Sequence, residues 1–98
     1  MASEVRDNPA LHRFELEVDG AVAFAAYILR GDEIIFTHTE VPAALGGRGV
    51  GSRLAQGALD LVRARGLRVV AQCPFIANWI ARHPEYADLL LATPSSKA

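Results

Sequence analysis

The period of the apolar positions changes once along this chain. Residues 13–18, Arg-Phe-Glu-Leu-Glu-Val, alternate polar and apolar, the pattern of a strand buried on one face. Asp19-Gly20 follows, a two-residue hairpin signal. The next run, Ala21 to Arg30, is apolar at nearly every position and predicts a central strand. Gly31-Asp32 marks a second tight turn. Glu33 to Val41, rich in β-branched and aromatic residues, predicts a third strand. Pro42 ends it, having no N–H to give a ladder. Beyond a glycine-rich stretch the spacing becomes helical: Val50, Leu54, Ala58, Leu61 and Val62 share a face, with Arg53, Arg63 and Arg65 off it. Gly66 stands where a helix-terminating glycine belongs, and Leu67 to Ala71 reads as a short strand. A strand–helix–strand crossover is right-handed, so this strand is expected parallel to the third. Pro74 and Pro84 each suit the first position of a helix. They predict helical segments over Phe75 to Arg82 and Glu85 to Leu91, separate or joined as one kinked helix.

These elements define an α+β fold: an antiparallel three-strand meander, then a helix and a parallel strand, with C-terminal helices. The domain is expected over residues 13–92. Residues 1–12, polar and rich in turn formers, read as a flexible N-terminal arm, and 93–98 as a flexible tail. Ninety-eight residues make one domain, with a core thin enough that monomer and homodimer both stay open.

Charge and cysteine content narrow the function classes. Ten basic and eleven acidic side chains give a net charge of −1, without the clustered positive charge of a nucleic-acid or membrane-surface binder. No apolar run reaches the ~20 residues of a membrane span, and residues 1–9 lack the apolar stretch of a signal peptide. A single cysteine, Cys73, can form no internal disulfide, and the expectation is cytoplasmic residence. Three histidines and one cysteine lack metal-ligand spacing, so no metal is expected.

The most informative stretch is Gly46-Gly47-Arg48-Gly49-Val50-Gly51-Ser52, where a strand has just ended and a helix begins. Glycines let the backbone turn sharply and present consecutive N–H groups, and the first turn of a helix adds free donors and partial positive charge, a geometry suited to phosphate. Two familiar phosphate loops fail on spacing. A dinucleotide fingerprint would need glycine at Ser52, and a Walker A loop needs a lysine followed by Ser or Thr.

The stretch resembles the pyrophosphate loop of the GNAT acetyltransferase superfamily, Q/R-x-x-G-x-G/A, with Gly49-Val50-Gly51 as its second half and Gly46 at the position the superfamily gives to Gln or Arg. His38-Thr39-Glu40-Val41-Pro42, Cys73-Pro74-Phe75 and His83-Pro84-Glu85-Tyr86 extend the likeness to the small single-domain GNAT proteins of the YjdJ type, over roughly Phe14 to Leu91. The resemblance implies a compact GNAT core that binds acetyl-CoA as cosubstrate and acetylates an amine. Gly46, Gly47, Arg48, Gly49, Val50, Gly51 and Ser52 would hold the pyrophosphate, and Val41 would offer backbone groups to the pantetheine arm. Only Asp19-Gly20 joins the first two strands, where larger members insert helices that wall the acceptor site. An open acceptor side suits a bulky amine such as a protein lysine or N-terminus.

Acetyl transfer to an amine needs a proton acceptor and a way to protonate the leaving thiolate. Glu40 is the candidate base, or else it caps a loop or pairs with an arginine. His38, two residues away on the same strand, faces the same side about 7 Å off and could relay a proton. Cys73, just before a helix, would have its thiol activated by the helix terminus and could take the acetyl group as nucleophile. The alternative is a small buried side chain. His83 is either a titratable group near the thiol or the cap of the last helix. Trp79 takes the place where many GNAT enzymes carry an acid tyrosine, and indole has no such proton to give. Arg48 and Arg53 could add charge-assisted phosphate contacts. A CoA-binding module without turnover is the competing function.

Overall fold

The computed structural model describes residues 5–90. Five strands form one sheet in the order β1 (Arg6–Asn8), β2 (Arg13–Val18), β3 (Ala21–Arg30), β4 (Glu33–Glu40) and β5 (Arg68–Ala71). The first four are antiparallel in sequence, and β5 lies parallel to β4. The expected meander and crossover are both present. The helices are α1 (Val50–Ala64) and α2 (Pro74–Arg82).

Local chemistry sets most of these boundaries. The β2–β3 hairpin turns through Asp19 and Gly20 at φ 52° and 81°, two successive left-handed residues as a tight primed turn requires. α1 ends in a Schellman arrangement: Gly66 N–H donates to the Arg63 carbonyl and Leu67 N–H to the Val62 carbonyl. α2 begins at Pro74, where the missing N–H costs nothing.

Three expectations need correction. The supposed flexible arm contains β1, which pairs with β2 through Arg6–Glu15, Asp7–Phe14 and Asn8–Arg13. Its residues carry no apolar alternation. Side chains hold it instead: Asp7 accepts a hydrogen bond from Tyr27 OH at 2.5 Å and pairs with Arg65 at 2.9 Å. The last predicted helix is a 3-10 segment, Pro84–Leu89, separated from α2 by His83 at φ −130°, ψ 74°, so there are two pieces and no kinked helix. The third strand stops at Glu40, one residue short of Val41. Residues 1–4 and the tail 93–98 lie outside the described residues.

Both helices cover one face of the sheet. Phe14 and Leu16 of β2, Ala23, Ala25 and Tyr27 of β3, Ile34 and Phe36 of β4, and Val69 of β5 meet Val50, Leu54, Ala58, Leu59 and Val62 of α1 and Ile76 and Ile80 of α2. No helix among the described residues is long and apolar enough to cross a membrane. A β-bulge interrupts the β3–β4 ladder. Tyr27 pairs with Phe36 but Ala26 pairs with His38, leaving Thr37 without a cross-strand partner. The extra residue reverses the facing of every later β4 residue. Ile34 and Phe36 point at the helices. Past Thr37, Thr39 takes that side, opposite Ala25, and His38 and Glu40 turn to the helix-free face opposite Ala26 and Phe24.

Candidate active site at the open end of the sheet

The β4–β5 ladder ends at Phe36–Ala71. Gln72 N–H and Cys73 N–H both converge on the Phe36 carbonyl, at 3.1 and 2.9 Å, and at Pro74 the chain leaves the sheet as α2. Thr37 to Glu40 therefore have β3 on one side and no strand on the other. The result is a slot along the unpaired edge of β4 beyond Phe36, where β5 has ended and α2 begins, lined on one side by the backbone of β4.

The glycine turn sits at the mouth of this slot. After Pro42 a 3-10 turn, Ala43–Leu45, buries Leu45. Gly47 and Gly49 then adopt φ 76° and 71°, the left-handed region that a residue with a Cβ enters at a cost. An added Cβ at either would meet nothing within 4 Å, so the space in front of the turn is open. Gly49 is the N-cap of α1 and offers no side-chain cap. The first helical bond is Arg53 N–H to the Gly49 carbonyl, so the N–H groups of Val50, Gly51 and Ser52 have no helical acceptor. Gly51 differs from the other two. A Cβ there would lie 2.8 Å from Phe75 Cζ and 3.4 Å from Val41 Cγ2. It is glycine because Val41, α1 and the start of α2 crowd together at that point.

The other predicted site residues separate into groups. His38 Nε2 and Glu40 Oε2 stand 3.2 Å apart, both exposed on the helix-free face, with the Phe24 ring edge-on to His38. The two side chains share a face, as their spacing of two predicts, and the Thr37 bulge decides which face it is. Cys73 is 2 % exposed and projects to the helix side, its Sγ 3.1 Å from Thr39 Oγ1. The thiol is the N-cap residue of α2, as expected, but it lies across the sheet from Glu40. His83 joins neither group. It follows the last residue of α2, about 15 Å along the helix from Cys73. There its ring stacks on Trp79 at 3.8 Å and 13° and donates from Nδ1 to the Trp79 carbonyl at 2.7 Å. His83 thus closes the end of α2 and gives the 3-10 segment that follows no side-chain cap, contrary to the expectation that it caps the last helix. Arg48 reaches Asp19 of the β2–β3 hairpin at 2.8 Å. Ser52 Oγ accepts a hydrogen bond from Trp79 Nε1 at 2.9 Å.

The groups with displaced pKa values belong to the scaffold. Burial, with help from Asp7, pushes Tyr27 up to about 12. Burial and the hydrogen bond to Asp60 raise Tyr86, which fastens the 3-10 segment to α1. Arg63 holds both carboxylate oxygens of Asp88 and keeps that group below the usual range. Tyr86 is thus a packing residue. Among the described residues no group of three or more His, Cys, Asp or Glu side chains is placed to hold a metal ion.

Sequence reasoning missed Thr39, whose partner is 34 positions away, and the Phe75, Asn78 and Arg82 stripe on α2. The stripe's i, i+3, i+7 spacing was a readable signal. The Thr37 bulge left none.

The site thus combines a mixed sheet whose β4–β5 ladder stops at Phe36–Ala71 with an uncapped, glycine-led helix start beside Val41. The sequence pattern of the GCN5-related N-acetyl-transferase family matches residues 13–89, and the chain belongs to that family. Protein NATD1 of Bos taurus is 39% identical over 67 residues, covering 67% of this chain and 58% of that protein. Protein NATD1 of Danio rerio is 32% identical over 75 residues, covering 74% and 67%. This chain therefore spans less than two thirds of the length of the bovine relative. A GCN5-like protein from Staphylococcus aureus, solved by solution NMR, superposes with a TM-score of 0.69 at 28% identity, covering 92% of this chain and 89% of its own.

Proposed function

We propose that this chain is an acetyl-CoA-dependent N-acetyltransferase of the YjdJ type. The observation that carries the reading is the continuity of the β4–β5 slot with the uncapped first turn of α1. The N–H groups at Gly49-Val50-Gly51-Ser52 suit a pyrophosphate. The β4 edge from Thr37 onward, with Val41 at its end, suits an extended chain bearing amides, which needs backbone partners of this kind.

The chemistry follows from the placement of the side chains. A neutral amine nitrogen attacks the thioester carbonyl carbon, a C–N bond forms, the C–S bond breaks, and CoA leaves as a thiolate that takes its proton from solvent water. Glu40, exposed beside the slot, takes the amine proton, and His38 at 3.2 Å passes it to water. The helix-free face at Glu40 is open, which favours a bulky acceptor such as a lysine or N-terminus of a protein. Cys73 forms the buried floor with Thr39 rather than reaching the acceptor side.

A second reading, a CoA-binding module without turnover, draws support from Trp79. Its indole N–H is committed to Ser52, and indole does not titrate, so the usual protein acid for the thiolate is missing. Two measurements separate the readings. Calorimetry with CoA should give saturable binding that Gly49→Val abolishes while far-UV circular dichroism stays native. Thiol release from acetyl-CoA should then depend on an added lysine peptide. Binding without release would establish the module, and absence of binding would remove both readings.

A further inference from the structure

Glu15 is a charged side chain that the helix-free face of the sheet nevertheless buries, leaving it 8 % exposed. Its carboxylate accepts from Arg13 Nε at 2.7 Å and from Asn8 Nδ2 at 3.1 Å. The Arg13 bond holds that carboxyl below the usual carboxylate range. Burying a charge pair costs desolvation, and here it fixes the position of Arg13.

The register shows what stands beside that pair. Phe24 lies opposite Glu15 on β2 and opposite Glu40 on β4. Two residues along, Ala26 lies opposite Arg13 and opposite His38. Cross-strand neighbours share a face, and diagonal ones are within reach of long and aromatic side chains. Arg13 and His38 both lean past the small Ala26 onto Phe24. The guanidinium sits 4.3 Å from the ring centroid, and the His38 ring meets Phe24 edge-on at 6.1 Å. The Phe24 ring thus divides two acid–base pairs, Arg13–Glu15 on one flank and His38–Glu40 at 3.2 Å on the other.

The division has a chemical consequence. β2 and β4 are about 10 Å apart across β3, a gap that an extended arginine and a glutamate close between them. Among the described residues Arg13 meets a carboxylate through Nε alone, so its terminal nitrogens are available to a second one. Glu40 is the carboxylate on the far flank of the ring.

We propose that Phe24 is a positioning residue, which keeps the Arg13 guanidinium off the Glu40 carboxylate and leaves that carboxylate to His38. The inference rests on Glu40 being the base. A guanidinium on Glu40 would favour its charged form and weaken it as a proton acceptor.

The test is thiol release from acetyl-CoA with a lysine peptide, with calorimetric CoA binding as the check on folding. Phe24→Ala should lower kcat about tenfold and leave CoA affinity unchanged. Phe24→Tyr, which keeps the ring, should keep the wild-type rate. Adding Arg13→Gln to Phe24→Ala should restore most of the lost kcat, which a merely structural role of Phe24 would not allow. In a Glu40→Gln background Phe24→Ala should have no further effect. If Phe24→Ala no longer binds CoA, Phe24→Val, with a better strand-forming residue, takes its place in each comparison. A wild-type kcat without the ring, a loss that Arg13→Gln does not relieve, or an equal loss in the Glu40→Gln background would each overturn the inference and leave Glu40 standing. A wild-type kcat in Glu40→Gln would overturn Glu40 as base and this inference together, and no release by the wild type would overturn the transferase reading itself.

Discussion

Cys73 Sγ lies 3.1 Å from Thr39 Oγ1, on the side of the sheet opposite the Glu40 carboxylate. The thiol and the carboxylate are therefore separate features, and a covalent relay between them has no straight path. Direct transfer is the expected course. Intact-mass measurement after incubation with acetyl-CoA should show no acetyl adduct on Cys73. Cys73→Ala should lower stability by about 1 kcal/mol yet keep most of the thiol-release rate. Glu40→Gln should lower kcat/KM roughly a hundredfold without changing CoA affinity. A Cys73-dependent gain of one acetyl group would reverse this assignment.

Legibility in the sequence tracks the range of each interaction. The meander, both hairpin turns and the end of α1 were legible because each depends on neighbours: Asp19-Gly20, Gly31-Asp32 and Gly66 act within a few residues. The His38–Glu40 pair was legible for the same reason. β1 was not, because Arg6-Asp7-Asn8 is held through Tyr27 and Arg65, 20 and 58 positions away. The bulge at Thr37 was not legible either. It arises from the register of two strands and has no residue signature, yet it alone puts Glu40 and Cys73 on opposite faces. His83 illustrates a third limit, since proximity to a helix end was readable but the stacking on Trp79 that commits the ring was not.

Arg48 is held by Asp19 at 2.8 Å, so a phosphate at the glycine turn competes with a carboxylate. Both side chains are substantially exposed, and such a pair is worth well under about 1 kcal/mol. Asp19→Asn should therefore raise CoA affinity only about two- to threefold. Titrations at low and high ionic strength provide the check: the gain should shrink as salt screens the pair. An affinity that falls in Asp19→Asn would mean that Asp19 positions Arg48 for the ligand rather than withholding it.

Tyr27 predicts an alkaline limit to stability. Its folded-state pKa is pushed up to about 12 by burial and by Asp7, above the value of about 10 expected in the unfolded chain. The folded form therefore holds the phenolic proton more tightly. That stabilisation is complete below about pH 10 and is lost as pH rises toward 12, up to roughly 2–3 kcal/mol. Tyr86, raised in the same direction, adds to the same slope. Denaturant midpoints measured from about pH 8 to 11.5 should fall most steeply above pH 10. Tyr27→Phe should flatten that fall while lowering stability at the neutral end, because Asp7 loses the hydroxyl that pins β1.

Gly51 links stability to the ligand site through Phe75. An added Cβ would sit 2.8 Å from Phe75 Cζ, too close to tolerate, and the partly exposed ring is the group able to move. Alanine gains up to about 1 kcal/mol over glycine within a helix, which offsets the cost of displacing the ring. Gly51→Ala should thus shift the thermal midpoint by only a few degrees in either direction. CoA affinity should fall by about tenfold, because Phe75 then swings away from the position it holds beside the first turn of α1. Phe75→Ala alone should also weaken CoA. In the double variant the two losses should be less than additive, since Gly51→Ala has no ring left to displace. A double-mutant cycle measured by calorimetry reads that coupling directly. Strict additivity would mean that Gly51 serves the phosphate turn through its backbone alone and that Phe75 takes no part in holding the ligand.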